Sequence, residues 1–266
     1  MTSLAERRDR FRALHASGVF AIPNPYDIGT ARLLAAQGFS ALATTSAGFA
    51  ATLGRLDMQT SRDELVAHTR DLAAATDLPL NVDAERCYAD DPAGVSDTVQ
   101  LLADAGAAGI SIEDWNPATD QIDPIGVATE RVAAAAATAT THGMLLTARA
   151  ENHLHGITDV DDTIARLAAY RDAGAHVLYA PLLPDVAAIK RVVALGLPVN
   201  VLLLPGGPTI AELGALGVRR VSTGSLLSKA ALGAFATASQ SLLDSGQLLP
   251  SVILLDRSLA AKAFQP

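Results

Sequence analysis

The sequence predicts an α/β fold, a single (β/α)8 barrel of the TIM type with a helical C-terminal extension. Three observations carry that expectation. Eight short aliphatic runs with β character alternate with longer alanine- and leucine-rich helical patterns, which calls for parallel strands joined by helical crossovers. The first run is followed by "NPYDIG", which lacks the glycine-rich phosphate turn that an open, doubly wound sheet would place there. No linker, composition break or low-complexity tract divides the 266 residues, and eight units in one domain favour closure into a barrel.

The elements follow in order. A helix is expected over about residues 3–16, before the first strand "VFAIPN" (19–24) and its helix "YDIGTARLLAAQG". The second strand, "SALATT" (40–45), leads to "SRDELVAHTRDLAAAT", and the third, "LPLNVDAE" (78–85), to "PAGVSDTVQLLADAG". "AGISIED" (108–114) precedes "PIGVATERVAAAAATATTHG", and "MLLTARAEN" (144–152) precedes "DVDDTIARLAAYRDAG". "HVLYAP" (176–181), "LPVNVLLL" (197–204) and "RRVSTG" (219–224) complete the set, each with its own helix. Many of these helices end in Gly, the residue that best tolerates a left-handed C-cap. The extension begins at about residue 247.

Composition narrows the function. Half of the residues are apolar and only 4% aromatic, so the core is expected to be aliphatic strand under alanine-rich helix. A net charge of −8, with no basic and aromatic patch, argues against nucleic acid. A single cysteine, Cys87, cannot make an internal disulfide or a cysteine-based zinc cluster, and no apolar run reaches the ~18 residues of a membrane span. The start has charges throughout and no apolar leader core, so a cytoplasmic protein is expected.

In a barrel the chemistry sits at the C-terminal ends of the strands. The third strand ends in Asp83-Ala84-Glu85, the fourth in Glu113-Asp114, and the fifth in Arg149-Ala150-Glu151-Asn152-His153. Residues two apart on a strand share a face, so Asp83 pairs with Glu85 and Arg149 with Glu151. Asp57 adds a carboxylate in the loop after the second strand. Carboxylates converging on one mouth repel one another unless a cation neutralises them, and an all-oxygen donor set points to Mg2+ or Mn2+. Helix caps, or salt bridges with Arg55, Arg86 and Arg149, are the plainer explanation.

The stretches "PNPYDIGTARLLAAQGFSALATTSAGFAATLGRLD", "VDAERCYADDP", "GISIED" and "TARAEN" together resemble the isocitrate lyase and phosphoenolpyruvate mutase superfamily, over about residues 19–235. The resemblance implies a Mg2+ ion held, largely through water, by Asp83, Glu85 and Glu113, with Asp57 beside it. It implies that Arg149 contacts the substrate and that Ser46, Ala47 and Gly48 clamp a 2-oxo-acid carboxylate. Glu151, His153 and Asn200 are further candidates for substrate contact. The chemistry so implied is bond cleavage beside a carbonyl through a metal-stabilised enolate, in a homo-oligomer (tetramer or dimer) built by exchange of the eighth helix.

Departures from the family pattern refine the expectation. Its lyases carry a Lys-Lys-Cys-Gly-His loop after the fourth strand, whereas this chain has the short "EDWNPATDQIDPIG", with Asn116 and Thr119 as stand-ins for the polar residue of the mutase loop and Trp115 as a wall of the pocket. Cys87 replaces a family glycine and is a candidate proton donor if its thiol is exposed. His155 joins His153 as a contact candidate, and Asp91, before Pro92, is expected to cap the next helix. Carbon-carbon cleavage or decarboxylation of an oxaloacetate-like acid is therefore expected first, with carbon-phosphorus chemistry or a non-catalytic metabolite-binding relative as alternatives. A metal-free sugar-phosphate barrel would instead use the amides of "LLLPGGPT" and "STGS".

Overall fold

All eight expected strands form, each shortened to the residues that pair. The computed structural model describes residues 2–265. The strands are β1 (Phe20–Ile22), β2 (Leu42–Ala43), β3 (Leu80–Asp83) and β4 (Gly109–Glu113), then a hairpin of β5 (Trp115–Asn116) and β6 (Gln121–Ile122). After the hairpin come β7 (Leu145–Arg149), β8 (Val177–Tyr179), β9 (Val199–Leu202) and β10 (Arg220–Ser222). The eight barrel strands pair in parallel in the order β1-β10-β9-β8-β7-β4-β3-β2. At the seam, the amide of Ala43 donates to the carbonyl of Pro23 at 3.1 Å, so the (β/α)8 barrel is nearly closed.

The helices are α1 (Leu4–Leu14), α2 (Ile28–Gln37), α3 (Ser46–Thr52), α4 (Arg62–Ala75), α5 (Pro92–Asp104) and α6 (Ile125–Thr141). They continue as α7 (Val160–Asp172), α8 (Val186–Val193), α9 (Ile210–Ala215), α10 (Leu226–Ser245) and α11 (Arg257–Phe264). Side-chain caps set many starts: Asp27, Ser61, Asp91, Asp185 and Thr209 each accept the N3 backbone N–H. Asp91 thus caps α5 as expected. One helix escaped the sequence reading: α3, directly after the second strand. The expected helical C-terminal extension is present as α11, which packs on α2.

The N-terminal helix plugs the far end of the barrel. Phe11 is fully buried among Ile22, Ala41, Ala43, Ala108 and Leu145, and Gly109 leaves room for its ring: a Cβ there would lie 2.6 Å from Phe11 Cε1. His15 follows, its Nδ1 2.8 Å from the Phe11 carbonyl and its ring edge-on to Phe11 and Phe20. His68, on α4, stacks on Phe49 with centroids 3.8 Å apart.

Burial drives both imidazoles toward the neutral form, pulling His15 down to about 3 and His68 to about 4. Because the folded values lie below the unfolded 6.5, the unfolded chain binds the extra protons, and this stability is present above about pH 6.5 and lost as pH falls toward 4. Thermal melts from pH 7 to pH 4 should therefore cost the parent protein on the order of 2 kcal/mol more than His68→Gln. Parallel losses in the two proteins would remove His68 as a source of acid sensitivity.

Candidate active site

Strand register brings the strand-end residues together. In the parallel ladder Asp83 lies beside Ser111, Glu113 beside Arg149, and Arg149 beside Tyr179. The Arg149 guanidinium gathers three carboxylates: Nη1 to Asp83 Oδ1 at 2.7 Å, Nη2 to Glu113 Oε2 at 3.0 Å, and Nε to Glu151 Oε1 at 2.8 Å. Its charged carbon sits 5.5 Å from the centre of the Tyr179 ring. Burial opposes this charge, but Glu151, Glu113 and Asp83 outweigh it and hold the guanidinium firmly protonated.

The carboxylates are crowded. Burial raises Glu113 and Glu151, with Arg149 pulling the other way. Glu85 sits in a left-handed turn with φ 48° and accepts from Thr60 Oγ1 at 3.5 Å. Burial first, then the charges of Asp83 and Asp57, push its carboxyl up to about 8. Asp83 also accepts the backbone N–H of Ser46 on Oδ2 at 3.1 Å, which ties the start of α3 to the end of β3.

Above these groups opens a cavity of about 150 Å³ bordered by Asp57, Asp83, Ala47, Arg149, Asn200 and Arg220, among others. That volume is well below the several hundred Å³ of a drug-sized site and suits a small acid. Asp57 is raised by desolvation and then by the charge of Asp83. Arg220 donates to Asn200 Oδ1 at 2.9 Å at the cavity floor, and burial pulls its guanidinium down to about 9.

The donor chemistry fits a hard divalent cation. Asp57, Asp83, Glu85, Glu113 and Glu151 form an all-oxygen cluster close enough to perturb one another's charge, with Arg149 paired directly to Asp83, Glu113 and Glu151. Among the described residues no group of three or more His, Cys, Asp or Glu side chains is arranged to hold a metal ion, and Arg149 holds Asp83 and Glu113 by direct ion pairs.

A family model described as phosphoenolpyruvate phosphomutase matches residues 11–243. The chain belongs to the phosphoenolpyruvate phosphomutase family. A crystal structure from Burkholderia cenocepacia J2315, named only as a lyase/mutase, is 46% identical with a TM-score of 0.93, covering 99% of this chain and 97% of that one. An uncharacterized Mycobacterium tuberculosis protein is 38% identical over 91% of this chain and 92% of its own length. A Corynebacterium glutamicum protein named probable 2-methylisocitrate lyase 2 is 32% identical over 70% of this chain and 62% of its own.

Within this family member, several expected site residues lie away from the cavity or have their polar groups already engaged. Cys87 is wholly buried in the aliphatic core and its thiol is pushed up to about 12 by burial, so it lacks the exposure a proton donor needs. Gly48 lies within α3 and does not border the cavity: a Cβ there would meet Thr45 Cγ2 at 2.6 Å, so the glycine serves packing. Ala47 does border the cavity, but the amide of Ser46 is already given to Asp83. Glu151 bonds Arg149 and does not border the cavity, and neither do Glu85, Glu113 or His153, whose buried Nε2 has no partner among the described residues. Asn200 borders the floor with its amide engaged by Arg220 and Ser222.

The loop after β4 folds as the β5–β6 hairpin. Asn116 turns its amide to Asp123 at 3.2 Å and Thr119 turns back to the Asn116 carbonyl, so neither faces the cavity. Trp115 stacks on His155 with centroids 3.4 Å apart. Two of the "STGS" amides are already engaged, since Thr223 and Gly224 each donate to Asn24 Oδ1 at 2.9 Å. Sequence reasoning missed Ser111, Asn81 and Ser222, although each is two residues from a chosen or charged strand position and so shares its face.

Proposed function

We propose that this chain is a Mg2+-dependent lyase that cleaves the bond beside the carbonyl of a small 2-oxo or 2-hydroxy carboxylic acid. The observation that carries the reading is the convergence of Asp83, Glu113 and Arg149, from three adjacent strands, below a cavity of small-acid size. Asp83, Glu85 and Glu113 would hold the cation, which when bound supplies Lewis-acid polarisation of the chelating acid head. Arg149, fixed on three sides and over Tyr179, orients the substrate and balances negative charge that grows on its oxygens. Asp57 at the rim is placed to hold or move a proton.

Family membership and the relative named 2-methylisocitrate lyase support lyase chemistry, and the buried Cys87 and the hairpin narrow it. Among the described residues no thiol borders the cavity, so the cysteine of the loop that the family's lyases carry has no counterpart there. No side chain of the hairpin reaches in to meet a phosphoryl group, which favours decarboxylation of an oxaloacetate-like acid over carbon-phosphorus cleavage. Assembly into a homo-oligomer through α10 accords with its surface: Phe235 and Leu243 are 73% and 82% exposed, while Ser228 and Ser241 are the buried residues of the helix.

Proton and phosphorus NMR of oxaloacetate, 2-methylisocitrate, isocitrate and phosphonopyruvate, with Mg2+ and then with excess chelator, tests the proposal. Accelerated loss of oxaloacetate over the metal-only blank, abolished by chelator, is the expected result. Turnover of phosphonopyruvate alone would move the protein to carbon-phosphorus chemistry, and turnover that survives chelation would remove the metal.

A further inference from the structure

The short hairpin after β4 joins the carboxylate site to a buried charge cluster behind it. Three of the four residues from Glu85 to Tyr88 are left-handed without being glycine, with φ of 48° at Glu85, 58° at Cys87 and 53° at Tyr88. Such a turn persists only where its surroundings over-determine it. Here the restraints are identifiable. Arg131, on α6 and 1% exposed, donates through Nη2 to the carbonyls of Arg86 and Ala89, so one guanidinium grips both sides of the turn. Arg86 bonds Ala89 O at 3.3 Å and Asp90 at 2.5 Å.

Both guanidiniums converge on Asp123. Its Oδ2 accepts Arg86 Nη2 at 2.9 Å, Arg86 Nε at 3.2 Å and Arg131 Nη1 at 3.1 Å, while Oδ1 accepts Asn116 Nδ2 at 3.2 Å. The amide of Asp123 donates to Asp114 O at 2.8 Å, which fixes it to the strand that carries Glu113. The Glu113 amide in turn donates to the Glu85 carbonyl at 3.0 Å. Asp90 is mostly in solvent, so Asp123 is the buried anion of this cluster.

We infer that Asp123, acting through Arg86 and Arg131, is a positioning residue that holds the left-handed turn so that Glu85 and Glu113 address one divalent cation. The inference rests on the metal reading above. The hairpin after β4 therefore braces the turn beside it. Removing the Asp123 charge leaves two buried guanidiniums without their shared partner, frees the turn, and weakens the cation site without touching a ligand.

Mn2+ titration followed by electron paramagnetic resonance tests this on the parent protein, Asp123→Asn, Asp123→Glu and Arg86→Lys, each first checked for fold by circular dichroism. Asp123→Asn should weaken Mn2+ binding roughly 10- to 100-fold, the scale of an outer-shell loss, with Asp123→Glu recovering part of it. Arg86→Lys, which keeps the charge and loses the fork, should weaken it several-fold and carries the test if Asp123→Asn does not fold. Unchanged affinity in folded Asp123→Asn, or in Arg86→Lys where that variant stands in, overturns the inference and leaves the metal reading intact. Absence of Mn2+ binding in the parent protein overturns the metal reading itself, and the inference with it.

Discussion

Arg149→Gln is expected to be the most damaging single replacement at the site, lowering kcat/KM by at least about 10³-fold and destabilising the fold by about 3–5 kcal/mol. Each half of that effect has a separate cause. The guanidinium pairs with Asp83, Glu113 and Glu151 at 2.7, 3.0 and 2.8 Å, and glutamine leaves three buried carboxylates facing one another. Breaking a buried ion pair from one side costs far more than the pair contributes net, because the desolvated charges stay behind. At the 2–4 °C per kcal/mol usual for chains near this size, the melting temperature should fall by roughly 10 °C.

The loss should also depend on pH. Without Arg149 the carboxyls of Glu113 and Glu151, already raised by burial, rise further. A group whose folded pKa is raised contributes stability that is present at low pH and lost as pH increases through the folded value. The gap between the variant and the parent should therefore be smaller at pH 5 than at pH 8. Calorimetric melts at the two pH values decide it, and a gap that does not vary would mean that the three carboxylates are not carrying charge in the parent. Arg149→Lys should recover little, since one ammonium cannot span three partners as a planar fork does.

The barrel and the ends of its strands were legible because both rest on periodicity. Aliphatic runs alternating with alanine-rich helices define the barrel, and two-residue spacing puts Asp83 with Glu85 and Arg149 with Glu151. What stayed hidden depends on distant parts of the chain. Cys87 sits two residues from Glu85 and reads as a site residue, yet a left-handed turn at φ 58° sends its thiol into the core. The clamp expected from Ser46 to Gly48 is a helix start whose first amide is taken by Asp83, 37 residues further on. Asn116 and Thr119 fit a polar loop residue in type, but the hairpin register commits them to Asp123 and to the backbone. The salt-bridge explanation for the strand-end carboxylates was also partly right: Arg149 does pair with them, and the pairing orients the one basic group that faces the substrate cavity from β7.

Asp83→Asn should separate the metal from the fold. The side chain keeps its shape but loses its charge, so Arg149 retains Glu113 and Glu151, and the melting temperature should fall by only roughly 3–6 °C, the equivalent of about 1–2 kcal/mol. Function should suffer much more. Asp83 borders the cavity, meets the guanidinium on Oδ1 and receives the Ser46 amide on Oδ2. An amide in its place presents N–H to one of those two donors and removes one negative charge from the group that would neutralise a divalent cation. Mn2+ affinity should drop by at least about 100-fold, with turnover falling in proportion at limiting metal and recovering in part at high Mg2+. Recovery at high metal would identify Asp83 with cation binding. A loss of turnover that no concentration of Mg2+ restores, at unchanged Mn2+ affinity, would instead make Asp83 the group that aims Arg149, and the cation would then have to be held by Glu85 and Glu113 without it.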